Sequence, residues 1–145
     1  MSQVNPAPVT LPRRLLAEAI GTGLLVTVVV GSGIAAQQLS PGDIGLQLLE
    51  NSTATVFGLA VLILMFGPVS GAHFNPVVTG AAWLLGRRTS TGISGVHVAP
   101  SIAAQTIGAA AGLGLVVALC PRHPATGDQA ITIHPSTATA TRETR

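Results

Sequence analysis

The stretch Ser70-Gly71-Ala72-His73-Phe74-Asn75-Pro76-Val77-Val78-Thr79 places a helix start in the middle of apolar sequence, and few folds accommodate that. Asn is a favoured N-cap, and Pro just after it loses nothing, because first-turn N–H groups have no partner inside the helix. In a bilayer, broken backbone is tolerated only where protein buries it or where it lines a watery cavity. The segment therefore points to a pore or binding site at membrane depth. The competing reading is an ordinary capped break between two short buried helices.

Composition supports the membrane setting. Charged residues make up 8% of the 145, against about 25% in a typical soluble domain, and mean hydropathy is +0.59. Seventeen Gly and abundant Ala suit helices that pack through small side chains. A net charge of +2, carried by scattered Arg, is too small for a nucleic-acid footprint. A single Cys, Cys120, excludes an intramolecular disulfide and any multi-Cys metal site. His123 and His134 are too isolated to argue for a metal. No nucleophile–base pair stands out, so neither catalysis nor a cofactor is expected.

Three long apolar segments lie between two polar ends, giving an expected all-α membrane protein. Residues 1–12, with three prolines, read as a disordered arm ending at Arg13-Arg14. A first span runs from Leu15 to about Leu39 with Glu18 as its one charge, long enough for a hydrocarbon core of about 30 Å. A cleaved signal peptide is the alternative for this segment, and the two further apolar segments weigh against it. A second span covers about Asn51 or Ser52 to Phe66, with Gly67-Pro68 expected to break it. Pro76 to Gly86 predicts a helix of only about 16 to 17 Å, half a membrane. It must therefore be re-entrant, with Gly86 as its stop and Arg87-Arg88 at its exit. The last span runs from about Val98 to Cys120 and contains Gln105. Residues 121–145 carry no apolar periodicity and read as a polar disordered tail.

Two crossings separate Arg13-Arg14 from Arg87-Arg88, so both pairs fall on one face. By the positive-inside rule that face is cytoplasmic. An integral protein of the plasma (inner) membrane with a cytoplasmic N-terminus is expected. Arg122, delivered to the opposite face, is the dissenting charge.

Ala17-Glu18-Ala19-Ile20-Gly21-Thr22, Phe57-Gly58-Leu59, the Ser70 to Thr79 motif and Ala104-Gln105-Thr106-Ile107-Gly108-Ala109, in this order and spacing, resemble the first half of the major intrinsic proteins, the aquaporin and aquaglyceroporin family. The resemblance covers residues 13–120 and implies three transmembrane helices plus one re-entrant half-helix, the first of two inverted repeats. It further implies passive passage of water or small uncharged solutes, with the bilayer and those solutes as partners. Either a homo-oligomer, the family tetramer, or a complementary second half would complete the assembly. Val77 stands where the family usually has Ala.

The chemistry of the motif is consistent with that implication. A half-helix N-terminus presents unpaired N–H groups and about half a positive charge, which repels cations. If the Asn75 side-chain carbonyl accepts from the helix start, its NH₂ is free to orient a passing hydroxylated solute. Backbone carbonyls of Gly71, Ala72 and His73 would supply a line of acceptors, with Pro76 fixing the helix start. The resemblance assigns Glu18 to bracing the loop. Gln105 either shares that task or makes a helix–helix hydrogen bond with no pore role. His73 is either structural or a protonation gate. Phe57 corresponds to an aromatic of the family's outer constriction, or else it is a core or lipid-facing side chain.

Residues 1–145 show one repeat and no second Asn-Pro half-helix. A shifted reading frame near Cys120, an early end, or a true half-channel would each account for that. Three functional expectations result: a channel half, a non-conducting membrane fragment or interaction partner, or a secreted or tethered polypeptide whose first span is a signal.

Overall fold

The computed structural model describes residues 9–89 and 92–120. They form four helices in chain order, α1 (Leu11–Leu39), α2 (Ile44–Ser70), α3 (Pro76–Thr89) and α4 (Gly95–Leu119). Three of them, α1, α2 and α4, are long and apolar enough to cross a membrane. At 14 residues, α3 reaches only about 21 Å and cannot. The all-α architecture of three spans and one short helix is as expected.

Several boundaries differ, each for a local reason. Helix α1 starts at Leu11, so residues 11 and 12 belong to it rather than to the N-terminal arm. Pro12 sits in the first turn, where no N–H is needed, and the first ladder bond runs from Arg14 N to Thr10 O at 3.2 Å. Helix α2 begins at Ile44, well before Asn51, because the Asp43 carboxylate accepts from Leu46 N at 2.9 Å. The turn between α1 and α2 is correspondingly tight, closed by Gln47 Nε2 donating to Ser40 O and Ser40 Oγ donating to Glu50 Oε1, both at 2.8 Å.

Gly67-Pro68 does not break α2, which continues to Ser70. Pro68 falls in the last turn and costs one ladder bond there. The helix ends instead on Gly71, whose left-handed conformation (φ 95°) lets its N–H close back on Gly67 O at 3.0 Å. Helix α3 runs past Gly86 to Thr89, and α4 starts at Gly95, ahead of Val98, with Pro100 inside it. Gly86 serves close approach, because a Cβ there would strike the backbone of Gly92. The polar tail expected at residues 121–145 and residues 1–8 of the arm lie outside the described residues.

Helix α1 is the centre of the packing, with α2 on one side and α4 on the other, while α3 rests on α4. Lipid is as apolar as leucine, so helices gain little from hiding apolar side chains from one another and associate through close contact instead. The α1–α4 seam shows this. A Cβ on Gly108 would fall on the Ala19 carbonyl, and one on Gly112 on the Gly23 carbonyl. Thr27 Oγ1 adds a bond to Gly112 O at 3.3 Å. The buried side chains are few and largely polar, among them Glu18, Thr79, Ser101 and Gln105.

Candidate functional site

The chain leaves α2 through three residues with positive φ: Gly71 (95°), Ala72 (52°) and Phe74 (51°). For the two with side chains this conformation costs roughly 1–2 kcal/mol each, so the surrounding structure must enforce it. Glu18 supplies most of the enforcement. Its Oε1 accepts from His73 N at 3.1 Å and its Oε2 from Phe74 N at 2.8 Å. Ser70 Oγ accepts from Ala72 N at 3.1 Å. The Phe74 ring is 4% exposed, stands edge-on to Phe66 at 6.0 Å, and occupies the place where a Cβ on Gly21 would lie. At about 1.5 Å per residue, Glu18 lies about 10 Å along α1 from Leu11, so the loop is held at depth.

Gln105, 1% exposed, completes the brace from α4. Its Nε2 donates to Glu18 Oε2 at 2.7 Å and to Thr79 Oγ1 at 2.8 Å. Glu18 thus receives three N–H groups and donates none, the role of an ionised carboxyl group. Both amide hydrogens of Gln105 are used, while its Oε1 is buried without a partner among the described residues.

Thr79, fully buried in the first turn of α3, fixes the histidine. Its Oγ1 lies 3.2 Å from His73 Nδ1 and already accepts from Gln105. The His73 ring is thus held at Nδ1, and Nε2 is its free nitrogen.

Asn75 caps α3. Its Oδ1 accepts from Val77 N at 2.8 Å and its main-chain oxygen from Thr79 N at 3.0 Å. Pro76 occupies the first helical position. The Asn75 side chain is exposed, and its NH₂ has no partner among the described residues. The same holds for the carbonyls of Gly71, Ala72 and His73, whose neighbouring amides are turned inward to Glu18 and Ser70. Phe57 stands apart, 67% exposed on α2 and about 20 Å along the axis from Ser70.

Sequence reasoning assigned no part to Thr79, Ser70, Phe74 or Arg14. Arg14 Nη2 donates to Ser70 O at 3.3 Å and ties the start of α1 to the end of α2, so these two ends share one face. A threonine one turn after an Asn-Pro start is a signal that could have been read, since it is the one polar side chain among apolar neighbours there. The Arg14 contact spans 56 residues and has no local signature.

The sequence has relatives among known proteins. The chain is 49% identical over 105 residues to the aquaglyceroporin AqpS of Rhizobium meliloti, covering 72% of this chain and 42% of that protein. It is 39% identical over 101 residues to aquaporin Z of Photorhabdus laumondii, covering 66% of this chain and 38% of the other. Against aquaporin-2 of Canis lupus familiaris, identity is 35% over 115 residues, 79% of this chain and 96% of that sequence. The chain thus spans about two fifths of the length of the first two. The family profile described as Major intrinsic protein matches residues 7–144. With three membrane-crossing helices and nearly the whole chain matched, this is an integral membrane protein that belongs to the major intrinsic protein family.

Proposed function

We propose that this chain forms one half of a transmembrane pore for water or small uncharged solutes, with Asn75 at the tip of the half-helix as the residue each solute meets. One observation carries this reading. Asn75 spends its Oδ1 on capping α3 and presents a free NH₂ at an exposed helix N-terminus. Beside it, Glu18 draws in the loop amides and leaves the carbonyls of Gly71, Ala72 and His73 unbonded among the described residues. A solute hydroxyl or water passing there meets a row of acceptors and then a donor, while the positive end of α3 repels cations. The names of the relatives, an aquaglyceroporin and aquaporins, support the same solute class.

In this reading α1 and α2 lie with their Arg14 and Ser70 ends at the cytoplasmic face of the plasma (inner) membrane. The face of the pore opposite Asn75 comes from a complementary half, or from a partner copy within an oligomer. Phe57 narrows the outer end. The test is an osmotic step on vesicles carrying the purified chain, with and without a complementary half. Faster volume change than in empty vesicles, lost in Asn75→Asp, supports a pore. Stable insertion with permeability at the lipid background in both conditions refutes it and selects a non-conducting interaction partner.

A further inference from the structure

A second site opens at the end of the bundle where α1 begins and α2 ends. A cavity of about 520 Å³, within the size range of ligand pockets, is lined by Arg14, Gly71, His73, Ser94 and His97 among others, and no carboxylate among the described residues lines it. We infer that this cavity binds a phosphate-type oxyanion.

The polar side chains that face it are cationic or donating. Arg14 uses Nη2 on Ser70 O, which fixes the guanidinium at the wall, and its other N–H groups have no partner among the described residues. His73 is held at Nδ1 by Thr79, so Nε2 is the free nitrogen of the ring. That nitrogen lies beside Gly71, 3.4 Å from where a Cβ would stand, on the same cavity wall. Ser94 is the N-cap of α4, yet its hydroxyl makes no capping bond and remains available. The ring of His97 is likewise without a hydrogen-bond partner among the described residues. Glu18, which braces the same loop, is engaged by three N–H donors from within.

A water-filled cavity would satisfy these groups one by one. A tetrahedral oxyanion satisfies them together, because its several acceptor oxygens match a guanidinium, an imidazole N–H and a hydroxyl converging from α1, the loop and α4. The cavity shares Gly71 and His73 with the proposed pore loop, but oxyanion binding is read without any measurement of conduction. The phosphate can be free or can be the headgroup of a lipid, since the start of α1 lies at the membrane face.

The experiment uses the full chain in neutral detergent. Inorganic phosphate is titrated by calorimetry, and retention of phosphatidic acid against phosphatidylcholine is read by native mass spectrometry. Saturable binding of inorganic phosphate is expected, weakened about tenfold by Arg14→Gln and by His97→Gln and unchanged by the exposed Arg13→Gln. If phosphatidic acid is retained and free phosphate displaces it, both sources use the site. Retention of phosphatidic acid that Arg14→Gln and His97→Gln abolish, without free-phosphate binding, identifies a headgroup site. Neither ligand bound, or binding indifferent to both Arg14 and His97, overturns the inference. His97→Gln leaves the Arg14–Ser70 contact intact, so its effect separates ligand binding from packing.

Discussion

Glu18→Gln is the sharpest test of how the re-entrant loop is held. The wild-type carboxylate accepts from His73 N (3.1 Å), Phe74 N (2.8 Å) and Gln105 Nε2 (2.7 Å). A glutamine offers one acceptor oxygen and one NH₂. Its best placement puts the oxygen where Oε2 stood, keeping Phe74 and Gln105, and turns the NH₂ toward the His73 N–H. Two donors then face each other at the 3.1 Å once spanned by a hydrogen bond. The lost bond to a charged acceptor is worth about 1.5–3 kcal/mol, and the two retained bonds lose their charge assistance. The closed loop is thereby weakened by about 3–5 kcal/mol, or about a hundredfold to several thousandfold in its opening equilibrium. Hydrogen–deuterium exchange on the full chain in detergent reads this directly. Amides of residues 71–75 should exchange faster by that factor, while the α1–α4 seam around Gly108 and Gly112 keeps its protection. Unchanged exchange over 71–75, or equal acceleration along the whole chain, would show that Glu18 is not the brace.

Thr79→Val keeps the shape but strands a Gln105 N–H and removes the partner of His73 Nδ1. It should cost about 1–3 kcal/mol in detergent stability, and ring ¹⁵N shifts of His73 should change, with Thr79→Ser restoring both. Gly108→Leu drives a side chain onto the Ala19 carbonyl and should lower the thermal midpoint by separating α1 from α4. Gly114→Leu, with nothing within 4 Å of its Cβ position, should leave it unchanged.

The spans were legible because length and apolarity are summed over many residues and survive local error. The half-helix was legible because Asn75-Pro76 states a start in two letters. The ends of α2 were not. Pro68 reads as a breaker when taken alone, but near a helix terminus it removes one ladder bond from a turn that Gly71 is about to close anyway. The early start at Ile44 depends on Asp43 acting as a cap, and an acid in a Pro-Gly turn looks equally like a loop residue. At the candidate site, Glu18 and Gln105 drew notice as polar groups in apolar spans. What they bind was hidden, because contacts across 55 to 87 residues leave no mark on local pattern. Positive φ at Ala72 and Phe74 was equally invisible, since neither residue favours it and only the bonds to Glu18 and Ser70 impose it.

The bonds that gather at Glu18 and Gln105 come from α1, the loop, α3 and α4, and their chain order sets an order of assembly. A helix made early supplies the acceptor, the loop and α3 follow, and the amide that joins Glu18 to Thr79 arrives only with α4, 87 residues after Glu18. Until then Glu18 Oε2 holds only the Phe74 N–H and Thr79 Oγ1 only its contact with His73 Nδ1, and the link between the two is missing. The re-entrant segment therefore cannot be fully locked during its own insertion. It must stay adjustable while the last span enters the bilayer, and closing the α1–α4 seam and setting the loop become a single late event.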